Sequence, residues 1–126
     1  MDSRGQFIIV CSSAGDREIW AEVMKHRAAR TIFVSTVAEI QAIARRQTPA
    51  LVICEEQLPD GSYRDVLQAL SKNKPPARLL ILIQDAAKCS EIVHQGAFDA
   101  ILLPLRRADA QWAVIRALTS SAAASG

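Results

Sequence analysis

Five short apolar runs, each closed by a turn signal and separated from the next by a helix-like stretch, constrain this chain more than any other feature. They are Phe7-Ile8-Ile9-Val10-Cys11, Thr31-Ile32-Phe33-Val34-Ser35, Ala50-Leu51-Val52-Ile53-Cys54, Leu79-Leu80-Ile81-Leu82-Ile83 and Ala100-Ile101-Leu102-Leu103. A strand with one wet face alternates apolar and polar residues, whereas a strand covered on both faces reads as a nearly continuous apolar run. Parallel neighbours need crossover connections, so runs of this kind alternating with helices predict a parallel sheet sandwiched between two helical layers. At this size the economical solution is a flavodoxin-like (βα)5 α/β sandwich with strand order 2-1-3-4-5. Ligands of such folds bind beyond the carboxyl ends of the strands.

The intervening segments carry helix signals. Ile19, Trp20, Val23 and Met24 fall at helical spacing between Asp16 and Arg30. Thr36 with Glu39 reads as a capping box opening a helix whose inward face is Val37, Ile40 and Ile43, and Pro49 ends it. Pro59-Asp60-Gly61 reads as a tight turn, and Ser62 with Asp65 as a second capping box ahead of Val66, Leu67 and Leu70. Lys72-Asn73-Lys74-Pro75-Pro76 stops that helix. A short helix fits Ala87 to Gln95, closed by Gly96. The last helix is expected from Asp109 to Thr119, with Val114, Ile115 and Leu118 inward. The expected organisation is an N-terminal tail over residues 1–6, one domain over 7–119 and a disordered tail over 120–126.

Composition narrows the function classes. Fifteen Lys and Arg against thirteen Asp and Glu leave a net charge of +2, without the basic excess of a nucleic-acid-binding surface. The first apolar run is too short for a signal peptide or a spanning helix, so the reading is a cytoplasmic domain with no membrane role. Cys11, Cys54 and Cys89 are an odd number without a CxxC pair, which argues against a disulfide framework or a structural zinc.

The layout resembles the receiver domain of two-component response regulators over residues 7 to 119. The resemblance rests on Leu51-Val52-Ile53-Cys54 followed by Leu58-Pro59-Asp60-Gly61, on Gly96-Ala97, and on Leu103-Pro104. It implies a fifth strand ending in a cis X-Pro bond and a phosphoacceptor at the end of the third strand, with Mg²⁺ held by acidic residues there and after the first strand. At those positions this chain departs from the pattern. Glu55 stands at the phosphoacceptor position, and the acidic pair falls on Cys11-Ser12, or on Ser12-Ser13 one residue later. The phosphoryl-binding hydroxyl is replaced by Gln84 or Ile83, the pairing lysine by Leu103, and the aromatic switch by Ala100. The expectation is a degenerate, non-catalytic pseudo-receiver with no cofactor and no metal site.

Two readings of Glu55 stay open: a built-in mimic of a phosphorylated acceptor, or a solvated carboxylate beside Glu56. A Cys11–Cys54 redox pair is conceivable, since both end neighbouring strands, and Cys89 is expected to be exposed. His26 and His94 read as surface residues, and Asp99 as a solvated charge. Ser12-Ser13-Ala14-Gly15 could receive an anion but matches no phosphate-loop pattern. Arg106, Arg107 and Arg116 around Trp112 suggest a partner face formed by the fourth helix, fifth strand and fifth helix. Trp112 could instead cover the end of the sheet. The expected function is signalling by contact with a kinase, an effector domain or a second copy, a homodimer included. The alternatives are a small-molecule or redox sensor using Cys11, Ser12 and Gln84, or an unusual phosphoacceptor.

Overall fold

Each apolar run becomes a strand because its side chains have apolar partners on both faces of one sheet. The computed structural model describes residues 6–25, 30–73 and 76–125, with side chains as far as Thr119. Its elements are β1 (Gln6–Val10), α1 (Ala14–Met24), β2 (Arg30–Val34), α2 (Val37–Arg46), β3 (Leu51–Glu55), β4 (Gln57–Leu58), β5 (Gly61–Ser62), α3 (Tyr63–Leu70), β6 (Arg78–Ile83), α4 (Cys89–His94), β7 (Asp99–Leu102) and α5 (Arg107–Ser125). The main sheet has five parallel strands in the order β2-β1-β3-β6-β7. That is the expected 2-1-3-4-5 once the small antiparallel β4–β5 hairpin is set aside. The Leu103–Pro104 peptide is cis, as the resemblance implies.

Period-two alternation sorts the core into two layers. Ile8, Val10, Val52, Cys54, Leu79, Ile81 and Ile83 pack against Val37 and Ile40 of α2, Val66 and Leu70 of α3 and Ile92 of α4. Phe7, Ile9, Leu51, Ile53, Leu80 and Leu82 pack against Trp20, Val23 and Met24 of α1 and Ala110, Ala113 and Val114 of α5. The sequence position of each strand residue thus decides which helical layer it meets.

The segment after β3 is held by hydrogen bonds that converge on the start of α2. Thr36 and Glu39 form the expected capping box, and so do Ser62 and Asp65. The Asp60 carboxylate, at the tip of the hairpin, accepts from the Val37 amide at 2.8 Å and the Ala38 amide at 3.1 Å. The Glu39 carboxylate accepts from the Ser35 and Thr36 amides. Donors that a helix N-terminus leaves open are therefore satisfied by two acids. Gly61 is required here, because a Cβ would stand 2.5 Å from the Asp65 carboxylate and 3.2 Å from a Val37 methyl. Gly96 closes α4 at φ 125°, a conformation side chains disfavour.

Several boundaries differ from expectation. α1 ends at Met24 rather than Arg30, because Arg30 is drawn into β2 opposite Gln6. The turn at Pro59-Asp60 is the tip of a hairpin pairing Gln57 with Ser62 and Leu58 with Gly61. α5 opens at Arg107 rather than Asp109 and runs on to Ser125, where a tail was expected, through an alanine-rich stretch of high helix propensity. Gln6, assigned to the N-terminal tail, opens β1. The rest of that tail, His26, Lys74, Pro75 and Gly126 lie outside the described residues.

Two stability measurements follow. Trp20 is fully buried and Trp112 is 61% exposed. Trp20→Ala should cost about 3–5 kcal/mol, whereas Trp112→Ala should stay within about 0.5 kcal/mol, both read by urea unfolding. The amide hydrogen bonds, led by those from Val37 and Ser35 respectively, hold the Asp60 and Glu39 carboxyls below the usual range. Their contribution is present above the unfolded carboxylate pKa and lost as pH falls through the lower folded value. Asp60→Asn should therefore lower the melting temperature at neutral pH, with the gap to wild type closing in acid.

Candidate functional site

The carboxyl ends of β3 and β6, with the residues just beyond β1, β6 and β7, surround a hollow of about 280 Å³ lined by Ser12, Glu55, Glu56, Gln57, Leu82, Gln84 and Leu103. Parallel topology brings these distant residues to one end of the sheet. Of the two positions left open after β6, Gln84 lines the hollow, while Ile83 is buried in the layer of α2, α3 and α4. After β1, Ser12 faces the hollow and Cys11 is buried in the layer of α1 and α5.

Glu55 is half-buried, and one of its carboxylate oxygens accepts two hydrogen bonds from Ser12, from the amide at 3.1 Å and the hydroxyl at 2.9 Å. This contact ties the loop after β1 to the end of β3, so Glu55 is not the freely solvated carboxylate of one of its two readings. Glu56 takes a different partner: Lys88, on the 3-10 turn Ala86–Lys88, meets it at 2.9 Å. That hydrogen bond raises the Lys88 pKa. A cation thus stands at the rim, but it arrives from the turn after β6. Leu103, in the place where the resemblance implies a lysine, supplies only an apolar wall.

Two participants escape a reading based on strand ends. Lys88 gives no periodic or motif signal; only the fold brings it to Glu56. Arg17, one turn into α1, donates through Nε to the Cys11 carbonyl at 2.8 Å and lies 5.6 Å from the centre of the Phe33 ring. It pins the end of β1 and overlays β2. Spacing offers one hint in retrospect, since Arg17 lies four residues after the Ser13 cap.

The remaining expectations resolve residue by residue. Cys11 and Cys54 are free and belong to opposite helical layers, so their side chains diverge and cannot form the conceivable redox pair. Burial pushes the Cys11 thiol up to about 11 and raises Cys54 as well. Cys89 is half-buried rather than exposed, and His94 is exposed. Asp99 is not a solvated charge, because it pairs with Arg116 at 2.6 Å, which also neutralises one member of the expected arginine patch. Ala100 is half-buried against the layer of α2, α3 and α4. Arg106, Arg107 and Trp112 are exposed, so Trp112 does not cover the end of the sheet. Among the described residues no three His, Cys, Asp or Glu side chains group closely enough to hold a metal ion. A larger hollow of about 410 Å³ lies between α2 and α3, away from the strand ends, and is mostly polar.

Comparison with solved structures places the fold. A signal receiver domain from Vibrio parahaemolyticus superposes with a TM-score of 0.83 at 21% identity, over 98% of this chain and 96% of that one. The receiver domain of a sensor histidine kinase from Pseudomonas aeruginosa, solved with magnesium in its active-site cleft, gives 0.76 at 15% identity, over 93% and 99%. The chemotaxis response regulator CheY4 of Vibrio cholerae gives 0.78 at 15%, over 92% and 100%. The chain has the flavodoxin-like receiver fold. In sequence it is similar to the photosynthetic apparatus regulatory protein RegA of Rhodobacter capsulatus, at 30% identity over 86 residues, 67% of this chain and 47% of that protein. The chain thus spans about half the length of the curated relatives it matches. No protein-family model matches it. Among the described residues no helix is long and apolar enough to cross a membrane.

The burial of the thiols fixes an order of reactivity. With a thiol reagent at neutral pH, Cys89 should label first, and Cys11 and Cys54 should stay silent until the protein is unfolded. A Cys11 pKa of about 11 leaves only about one thiolate in ten thousand at pH 7. Rapid labelling of all the cysteines in the folded state would contradict this arrangement.

Proposed function

We propose that this chain is a non-catalytic, receiver-type signalling module that acts by protein–protein contact and not by magnesium-dependent phosphorylation of an aspartate. The observation that carries the reading is the Glu55–Ser12 contact at the end of β3. Glu55 stands at the phosphoacceptor position that the receiver resemblance implies, and one of its oxygens is engaged by the loop after β1, where the same resemblance implies metal ligands. The carboxylate acts as a fixed anionic latch, so the pocket holds one state without a phosphoryl donor.

Magnesium does not fit the donors present. The ion demands near-octahedral oxygen ligation, through one or two carboxylates plus waters or phosphates. Here the loop after β1 offers Cys11, Ser12 and Ser13, Glu55 is hydrogen-bonded to Ser12, and Glu56 is paired with Lys88. Leu103 carries no donor for a phosphoryl oxygen. The similarity to RegA and to receiver structures supports a place in two-component signalling, with a kinase, an effector domain or a second copy as partner. The contact face would be α4, β7 and α5, where Trp112, Arg106 and Arg107 are exposed and Arg116 forms part of the rim. A cytoplasmic setting accords with this role. The alternative of a small-molecule or redox sensor using Cys11, Ser12 and Gln84 has less support, because Ser12 and Gln84 line the hollow whereas Cys11 is buried in the layer of α1 and α5.

Incubation with acetyl phosphate and millimolar magnesium, followed by intact mass measurement, tests the reading. The expected spectrum shows no phosphoryl adduct. A stoichiometric adduct mapped to Glu55 would overturn the proposal.

A further inference from the structure

The hollow of about 410 Å³ between α2 and α3 exists because two alanines meet there. Ala44 of α2 and Ala69 of α3 are both buried and line it, and neither is large enough to fill the space between the helices. Gln41 and Arg45 flank Ala44, at the spacing of one helical face. Asp65, Gln68 and Lys72 flank Ala69 in the same way, at i, i+3 and i+7. The result is an apolar floor between two polar walls. Its volume falls in the range of small-molecule sites, about 300–1,000 Å³.

The walls are polarised along the helices. α2 and α3 each join two parallel neighbours of the sheet, so they run in the same direction and their carboxyl ends lie together. Arg45 and Lys72 stand at that end, and neither has an ion-pair partner among the described residues. A helix carboxyl end carries roughly half a negative charge, so two such ends leave the two cations in excess by about one charge. Asp65 stands at the opposite end. Its Oδ2 accepts from the Ser62 amide at 3.0 Å, and its Oδ1 takes no hydrogen bond among the described residues. Between the ends lie the side-chain amides of Gln41 and Gln68, with Asn73, whose buried Nδ2 meets no acceptor among the described residues.

Seven residues of helix separate Asp65 from Lys72, a rise of about 10 Å. A bare anion fills only the cationic end of that length. A ligand that uses all of it carries an anion at one end, a donor at the other and a flat polar body between. We propose that the α2–α3 hollow binds a nucleoside monophosphate whose base bears an exocyclic amine. The phosphate takes Arg45 and Lys72, the base lies over the methyls of Ala44 and Ala69, and its amine donates to Asp65. Side-chain amides pair with the edges of such bases, which gives Gln41 and Gln68 their partners. The site is separate from Glu55, so the acetyl phosphate experiment leaves its test untouched.

NMR titration of isotope-labelled protein tests it, with AMP, GMP and CMP as ligands and with inorganic phosphate and adenosine as the separate halves. At least one nucleotide should give saturable shifts at the backbone amides of Ala44 and Ala69, and each half should bind more weakly than the whole. Arg45 and Lys72 are exposed, so the Arg45→Gln, Lys72→Gln double variant should fold, as circular dichroism verifies. Its affinity should fall by about tenfold or more, the scale of hydrogen bonds to charged groups. Lys72→Arg keeps the charge and should bind close to wild type. The inference is overturned if none of the three nucleotides shifts Ala44 and Ala69 at millimolar concentration. It is equally overturned if inorganic phosphate binds there as tightly as the nucleotides, which marks an adventitious ion only, or if the double variant binds like wild type.

Discussion

Two-sided burial of the parallel strands is the constraint on which everything else in this structure depends. Each core strand must find apolar partners above and below, and side-chain alternation assigns successive residues to opposite layers. Ile8 and Ile9, adjacent in sequence, are both fully buried yet contact different sets of helices. Once that sorting is made, parallel pairing carries every strand's carboxyl end to the same rim. The hollow at that rim is a consequence of topology, and its chemistry is decided by which few residues happen to follow each strand.

The residues that follow the strands here are bound to one another. Glu55 is engaged by Ser12, Glu56 by Lys88, and the Cys11 carbonyl by Arg17. A carboxylate at a protein rim can stay in water, find a donor or wait for a ligand, and the first two are satisfied locally in this chain. Exposed ion pairs such as Lys88–Glu56 contribute little to stability, on the order of 0–1 kcal/mol. Their effect is on availability. A ligand seeking the Glu55 oxygen that faces Ser12 must displace two hydrogen bonds whose donors, an amide and a hydroxyl, are then left to water.

The fold was legible because its signals are local and mutually consistent. Apolar runs, the two capping boxes at Thr36 and Ser62, and Gly96 all act within a few residues, and all appear where the sequence places them. The site was legible only in outline. Ser12, Glu55, Gln84 and Leu103 follow from strand ends, but Lys88 and Arg17 enter through side chains long enough to reach across elements, which no periodicity encodes. Asp99 was misread for the same reason, since its partner Arg116 lies on a helix whose rotation relative to β7 the pattern does not give. The Cys11–Cys54 pairing failed on parity. Neighbouring strands place their ends close together, but one residue of register turns a side chain to the other face. The end of α5 was misread because small polar and alanine residues serve equally as tail or as helix, and helix propensity decides where no packing signal exists.

The distribution of unsatisfied surface then separates two kinds of binding. At the strand ends the polar groups are largely paired and the exposed area is polar, so an incoming ligand would exchange one set of hydrogen bonds for another, with a small net gain for each. At the β7 edge Leu102 and Trp112 expose apolar surface among charged neighbours, and covering that apolar surface releases water without breaking a hydrogen bond of its own. Burial of apolar surface is worth about 25 cal/mol per Å² before the cost of association is counted. An indole 61% exposed on a helix, with an apolar edge strand beside it, therefore carries more binding potential than the carboxylates at the rim. The chain thus keeps the receiver architecture while carrying its large exposed apolar side chains around the sheet edge and not at the strand ends.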